Sequence, residues 1–195
     1  SIAAQTTTTI TIDGSTEFSL GSASFSGAVT ITATGAVNLA GVTSAKALTI
    51  TSGGAINLGG LTAITATAAI SGTTVNLGSV ASIAASTVVT ATDITLAALA
   101  STSGTGTLTL VGPTSVSLPA LTSNVGGITA ADATTFAAPA LVTSGTIDVK
   151  AAATVHVKNL TSTFTLADWG KIVNLKLFEQ DTSIDFKEAV HLVTL

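Results

Sequence analysis

The stretch "AVNLAGV" at residues 36–42 returns as "AINLGGL" at 55–61 and again as "TVNLGSV" at 74–80, nineteen residues later each time. Working outward, the same register runs through "FSLGSA" at 18, "ITLAAL" at 94, "VSLPAL" at 116, "FAAPAL" at 136 and "VHVKNL" at 155. The steps between successive units are 19, 19, 19, 19, 22, 20 and 19. A period near twenty is the mark of units too small to bury an inward face alone, which share an interior once stacked.

A second signal is phased with the first. Eight residues upstream of most units stands a triplet that alternates apolar, polar, apolar: "ITI" at 10, "VTI" at 29, "LTI" at 48, "LTL" at 108, "ITA" at 128 and "IDV" at 147. This period-2 pattern reads as a strand with one face buried. Each unit thus holds two short strands, followed by a third apolar point at Ala23, Val42, Leu61, Val80, Leu99, Leu121, Leu141 and Leu160. The expected fold is all-β: a parallel β-solenoid (β-helix) of about eight 19–22-residue coils with an atypical C-terminal cap. At about 4.8 Å per coil it makes a rod roughly 40 Å long.

Between the strands stand "DGST", "ATGA", "TSGG" and "VGPT", which supply Gly and small polar residues where the chain must turn. The units "ITATAAISGTTV" at 64–75 and "IAASTVVTATDI" at 83–94 fit the first strand imperfectly, so a bulge or register shift is expected there. "STSGTGT" at 101–107 accounts for the step of 22 and should bulge from one corner. Composition then changes near residue 164: five of the six Lys and six of the ten acidic residues lie from Asp148 onward, with the one Trp at 169. Residues 1–163 therefore read as the repeats, and 164–195 as a last coil plus a cap or assembly segment. "VNLKLF" at 173 falls near the period, and "SIDFKEAVHLV" is expected as a short helix or a terminal strand.

Nearly half the chain is apolar while only 4% is aromatic, so the apolar content is Ala, Val, Leu and Ile, suited to a narrow interior. Thr, Ser and Gly interrupt every apolar stretch before the roughly 18 residues of a membrane helix, so membrane insertion is not expected. The chain has no Arg and a net charge of -4, which counts strongly against nucleic acid as a partner, because phosphate binding needs a basic face. The first residue is Ser rather than Met, so Ser1 is expected to follow a removed leader or a proteolytic cut. The absence of Cys favours neither side of a membrane.

The "GTLTL" strand, short turn and following "VSLPALTS" at 105–123 resemble the receptor-L-domain-like relatives of leucine-rich repeats, found in fungal wall proteins and bacterial surface proteins. "GTIDVKAAATVHVKNLTST" at 145–163 fits the same pattern, and the resemblance covers about residues 8–163. The sequence departs from standard leucine-rich repeats in lacking their inward Asn and their helical or extended convex segment. The resemblance implies a secreted or cell-surface structural or binding protein, and it brings no catalytic residues.

Two outward ladders are the candidate sites. The second strands place Ser19, Asn38, Asn57, Asn76, Thr95 and Ser117 on one face, either as a polar binding strip or as a ladder that stabilises stacking. The first strands place Thr11, Thr30, Thr49, Thr109 and Thr129 in one column, with Thr9, Thr32 and Thr51 completing Thr-x-Thr pairs until Ala68 interrupts. A flat array of hydroxyl and methyl groups could order water as ice-binding solenoids do, although Thr also simply suits a wet strand. His156 and His191 stand 35 residues apart without an acidic partner at ligand spacing, so no metal site is expected. Asp181, Asp185 and Glu188 lack the Gly and spacing of a calcium loop. "NLT" at 159–161 is an acceptor sequon, relevant only in a eukaryotic secretory pathway.

General acid–base chemistry needs clustered titratable groups. Asp13, Glu17, Lys46, Asp93 and Asp132 fall at unrelated phases of the repeat, so the expectation is no enzyme and no cofactor. The expected function is a non-catalytic extracellular structural protein, a module of a surface, adhesin or filament-forming protein. Its expected partners are further copies end to end, or neighbouring domains of a longer chain. The alternative is a module that binds a surface glycan or ice through the Thr and Asn ladders.

Overall fold

The computed structural model describes residues 8–11, 17–25, 27–103, 107–149, 151–152, 154–157, 165–167 and 174–176. Among them all regular structure is β-strand, and every strand pairing is parallel. Strands pair with those one coil before and one coil after, except between Val42–Ser44 and Ala63–Ile64 and between Asp93–Thr95 and Ser115–Ser117, and this stacking is a β-solenoid.

The rod has three faces. The long face is one nine-stranded sheet: Thr8–Thr11, Ala28–Ala33, Ala47–Ser52, Ala68–Ser71, Thr87–Thr90, Leu108–Val111, Ile128–Thr129, Thr146–Asp148 and Thr165–Ala167. The second, or Asn face, runs in two blocks. Phe18–Ser19, Val37–Asn38, Ile56–Asn57, Thr74–Asn76 and Asp93–Thr95 form the first; Ser115–Ser117, Thr135–Ala137, Thr154–His156 and Asn174–Lys176 form the second. The third face begins with the pair Ala23–Ser24 and Val42–Ser44 and continues as Ala63–Ile64, Ser82–Ile83, Ser101–Thr102, Ser123–Asn124 and Thr143–Ser144. Seven coils therefore carry a strand on all three faces, and an eighth and a ninth are described on two.

The recurring motif is the corner between the second and third faces. In "VNLGSV" the strand ends at Leu77, whose carbonyl accepts from the Val80 amide at 3.0 Å, closing a four-residue turn. The same bond closes Leu39–Val42, Leu58–Leu61, Leu96–Leu99, Leu118–Leu121 and Ala138–Leu141. Both ends of each turn point inward and are buried, while the two middle residues face out. Pro119 and Pro139 stand second in their turns, where the ring presets the required φ. The third apolar point of each unit thus marks the end of this turn, and a third short strand accompanies it, so a coil has three strands rather than two.

Inward residues form columns: Val29, Leu48, Ala68, Thr87, Leu108, Ile128 and Ile147 run up the long face, all buried. Burying a Leu, Ile or Val contributes about 1.5–3 kcal/mol, and each coil supplies several, set against the backbone entropy of ordering some twenty residues. Phe136 enters the interior at 1% exposure in a coil whose other buried residues include Ala130, Ala133 and Ala138, so one large ring is accompanied by several small inward side chains.

Two expectations of register are corrected, one is borne out and one falls partly outside the described residues. The first long-face strand pairs Thr8 with Val29 and Thr11 with Thr32, two residues away from the alignment of "ITI" with "VTI". The units at 64–75 and 83–94 carry the expected shift: Ala68 pairs with Leu48 at a step of 20 while Val75 pairs with Ile56 at 19, so the long-face strand stands one residue late, with continuous pairing inside it; a further irregularity lies between Ala23 and Ser24. Within 101–107, Ser101–Thr102 is a regular third-face strand and residues 104–106 lie outside the described residues. Leu175, not Val173, stands above Val155. Leu160, the sequon at 159–161 and the proposed helix or strand at 183–193 lie outside the described residues.

Stacking leaves little room at the corners. A Cβ on Gly60 would lie 2.1 Å from the Ala40 carbonyl oxygen of the coil below, a backbone atom that cannot swing away, whereas a Cβ on Gly21 would meet nothing within 4 Å. Gly60→Ala should lower stability by about 2 kcal/mol or more, and Gly21→Ala should change it by less than about 0.5 kcal/mol, read from urea denaturation followed by far-UV circular dichroism.

Candidate functional site: the outward ladders

The structure brings Ser19, Asn38, Asn57, Asn76 and Thr95 into one column, residue above residue, as expected. Ser117 begins a separate column with Ala137 and His156. The Asn side chains are committed to the fold. Each Oδ1 accepts from the amide two residues on: Ala40 to Asn38 at 3.2 Å, Gly59 to Asn57 at 3.0 Å, and Gly78 to Asn76 at 2.9 Å. This local bond holds the chain as it leaves the strand for the turn. The Asn76 Nδ2 then donates to the Asn57 Oδ1 at 3.1 Å, tying one coil to the next. The ladder is first a device for turning and stacking.

The Thr array is arranged differently from the expectation. Thr11 pairs with Thr32, not Thr30, so one column runs Thr11, Thr32, Thr51, Ser71 and Thr90 before Val111. The other runs Thr9, Thr30, Thr49, Ala69, Val88, Thr109 and Thr129. Ala69 rather than Ala68 interrupts it, because Ala68 points into the core. Neighbouring groups stand about 4.8 Å apart up a column and about 6.6 Å apart along a strand.

Hydroxyls divide by position. At the corners they donate to the preceding coil: Thr92 to the Thr73 carbonyl at 2.9 Å, Thr122 to that of Ala100 at 3.1 Å and Thr134 to that of Thr114 at 3.0 Å. On the long face, the hydroxyls of Thr30, Thr32, Thr49 and Thr51 make no hydrogen bond among the described residues. Thr32, Thr49 and Thr51 are exposed and Thr30 is half-buried. Their donors and acceptors are directed to whatever lies outside the rod.

One polar cluster lies inside. Asn124, fully buried, accepts from the Thr102 hydroxyl at 2.6 Å and from the Gly127 amide at 3.1 Å. The reading that the chain lacks an inward Asn is thus corrected at this coil. Its signal was present in "SNVGG", where an Asn three residues before a Gly can close a turn from within, but outward Asn elsewhere hid it. In the preceding coils the same position is Ile64 and Ile83.

The ionisable groups stay apart. Glu17, Lys46, Asp93 and Asp132 are exposed, and the Asp132 Oδ2 accepts from the Gly112 amide at 3.0 Å. Among the described residues no three His, Cys, Asp or Glu gather where they could hold a metal ion. His156 stands half-buried in the column above Ala137. His191, Asp181, Asp185 and Glu188 lie outside the described residues. No described helix is long and apolar enough to cross a membrane. No protein-family model, curated protein or solved structure matches the chain.

Asn57→Ala removes the acceptor for both the Gly59 amide and the Asn76 side chain, and should cost about 1–2 kcal/mol in denaturation measurements, whereas Thr49→Ala should cost less than about 0.5 kcal/mol. Asn124→Leu strands the Thr102 hydroxyl and the Gly127 amide and should cost about 2 kcal/mol or more. Adding Thr102→Val should recover part of that loss, checked by a double-mutant cycle.

Proposed function

We propose that this chain is a non-catalytic extracellular structural module, a β-solenoid section of a surface, adhesin or filament-forming protein. The observation that carries this reading is where the polar side chains are used. Corner hydroxyls and the Asn ladder bind coil to coil, aliphatic side chains fill the axis, and Glu17, Lys46, Asp93 and Asp132 are scattered over the outside. Such a molecule serves as a spacer between two points. The kinship to receptor-L-domain-like repeats belongs to the same proposal, with the corner turn of "VSLPAL" and the inward Asn124 in its support. A secreted or cell-surface location follows from that kinship. The partners are then copies of the chain joined end to end, or adjoining domains.

A second reading is favoured by one observation, the unengaged hydroxyls of Thr30, Thr32, Thr49 and Thr51. In it the long face binds a surface glycan or ice, and the Asn ladder is the scaffold behind it. Negative-stain electron microscopy over a range of concentrations tests the first reading. Rods that lengthen with concentration are the expected outcome. Discrete particles at every concentration would overturn self-assembly and move attention to glycan-array and ice-recrystallisation assays, in which Thr49→Val with Thr51→Val should abolish any activity.

A further inference from the structure

The Asn face is interrupted between the fifth and sixth coils, as the third face is between the second and third. Its first block ends at Asp93–Thr95 and its second begins at Ser115–Ser117, with no pairing between them, although they stand in consecutive coils. In the other coils the amide of the corner residue donates to the next coil: Leu39 to Asn57 at 2.8 Å, Leu58 to Asn76 at 2.9 Å, Leu77 to Thr95 at 2.9 Å and Leu118 to Ala137 at 2.8 Å. Leu96 makes no such bond. Ile94, two residues before it in the strand Asp93–Thr95, is only partly buried, whereas its counterparts Val37, Ile56 and Val75 are each 1% exposed. The other partly buried members of the core, Phe18 and Leu20, belong to the first coil, so Ile94 marks a loosening inside the rod.

The two remaining faces are continuous across the same junction. Thr87–Thr90 pairs with Leu108–Val111 at all four positions, and Ser101–Thr102 pairs with Ser123–Asn124. The buried Thr102–Asn124 hydrogen bond spans the fifth and sixth coils on the third face. The chain enters the sixth coil's Asn-face strand through Gly112, whose φ of 96° lies in the left-handed region, followed by Pro113. This corner differs from those of the coils below, and it sets Ser115–Ser117 out of step with Asp93–Thr95.

We infer that the solenoid carries a built-in hinge between its fifth and sixth coils, opening on the Asn face and held on the long and third faces. Bending there breaks no ladder hydrogen bond on the side that opens, whereas the same bend at any junction from the first to the fifth coil breaks those of Leu20, Leu39, Leu58 or Leu77. Two blocks of coils, each with an unbroken Asn-face ladder, meet at a joint with a fixed direction of swing.

The chain has no Cys, so spin labels can be placed cleanly. Three pairs each span three coils, about 14 Å of rise. Asn76→Cys with Ala137→Cys crosses the junction on the Asn face, Ala69→Cys with Thr129→Cys crosses it on the long face, and Asn38→Cys with Thr95→Cys stays within the first block. The expected result of pulsed electron spin resonance is a distance distribution clearly broader for the first pair than for the other two. Equal widths in all three would overturn the hinge. Amide hydrogen exchange on the unmodified chain provides a second readout free of substitutions. Ile94 and Leu96 should exchange about tenfold faster or more than Val75 and Leu77, and equal protection at the four positions would overturn the inference.

Discussion

The whole structure depends on the parallel ladder between one coil and the next. A single coil has strands of two to six residues and an inward face with nothing opposite it; only when an identical path is laid above it do the amides find carbonyls and the Leu, Ile and Val side chains lose their water. The sequence answers with a fixed phase. Each inward position must return about every nineteen or twenty residues, because a slip of one would turn the core side chains outward and bring Thr and Asn inward.

That phase is why so much could be read without coordinates. The corner "VNLGSV" announces itself twice, through its apolar ends and through the Asn that bonds two residues on, and the buried columns followed from it correctly. What stayed hidden was set by interactions with no periodic signature. The third strand is short, as in Ala63–Ile64, and carries one inward residue, too little for alternation to show. Thr11 and Ile10 both fit an alternating triplet, so only pairing to Val29 or Thr32 decides the register. Ala68 and Ala69 are equally acceptable inside and out, and the contact with Leu48 settles which is buried. The Asn ladder was placed on the right face, but its role as turn and tie is a matter of atoms rather than of spacing.

The polar residues fall into three groups by what they touch. Corner Thr and the Asn column spend their hydrogen bonds on the adjacent coil, Asn124 and Thr102 satisfy one another in the dark, and the long-face Thr keep theirs for the surroundings. The same amino acid therefore has different consequences at different phases. Thr122 helps to hold the rod together, whereas Thr49 presents a hydroxyl and a methyl on a flat surface. Any argument about recognition belongs to the third group, since removing a member of the first two disturbs the scaffold as well.

Among the described residues every backbone tie between coils reaches only one coil along the chain, as Leu39 to Asn57 or Thr122 to Ala100. The span to be closed in forming each new layer is therefore the same short one, whatever the total length. Closing a loop of about twenty residues carries the same entropy cost at the eighth layer as at the second, so assembly can proceed as growth on a seed, with the first pair of coils the slow step and each addition faster. Length is then a variable that duplication can change by whole coils without renegotiating the rest of the fold.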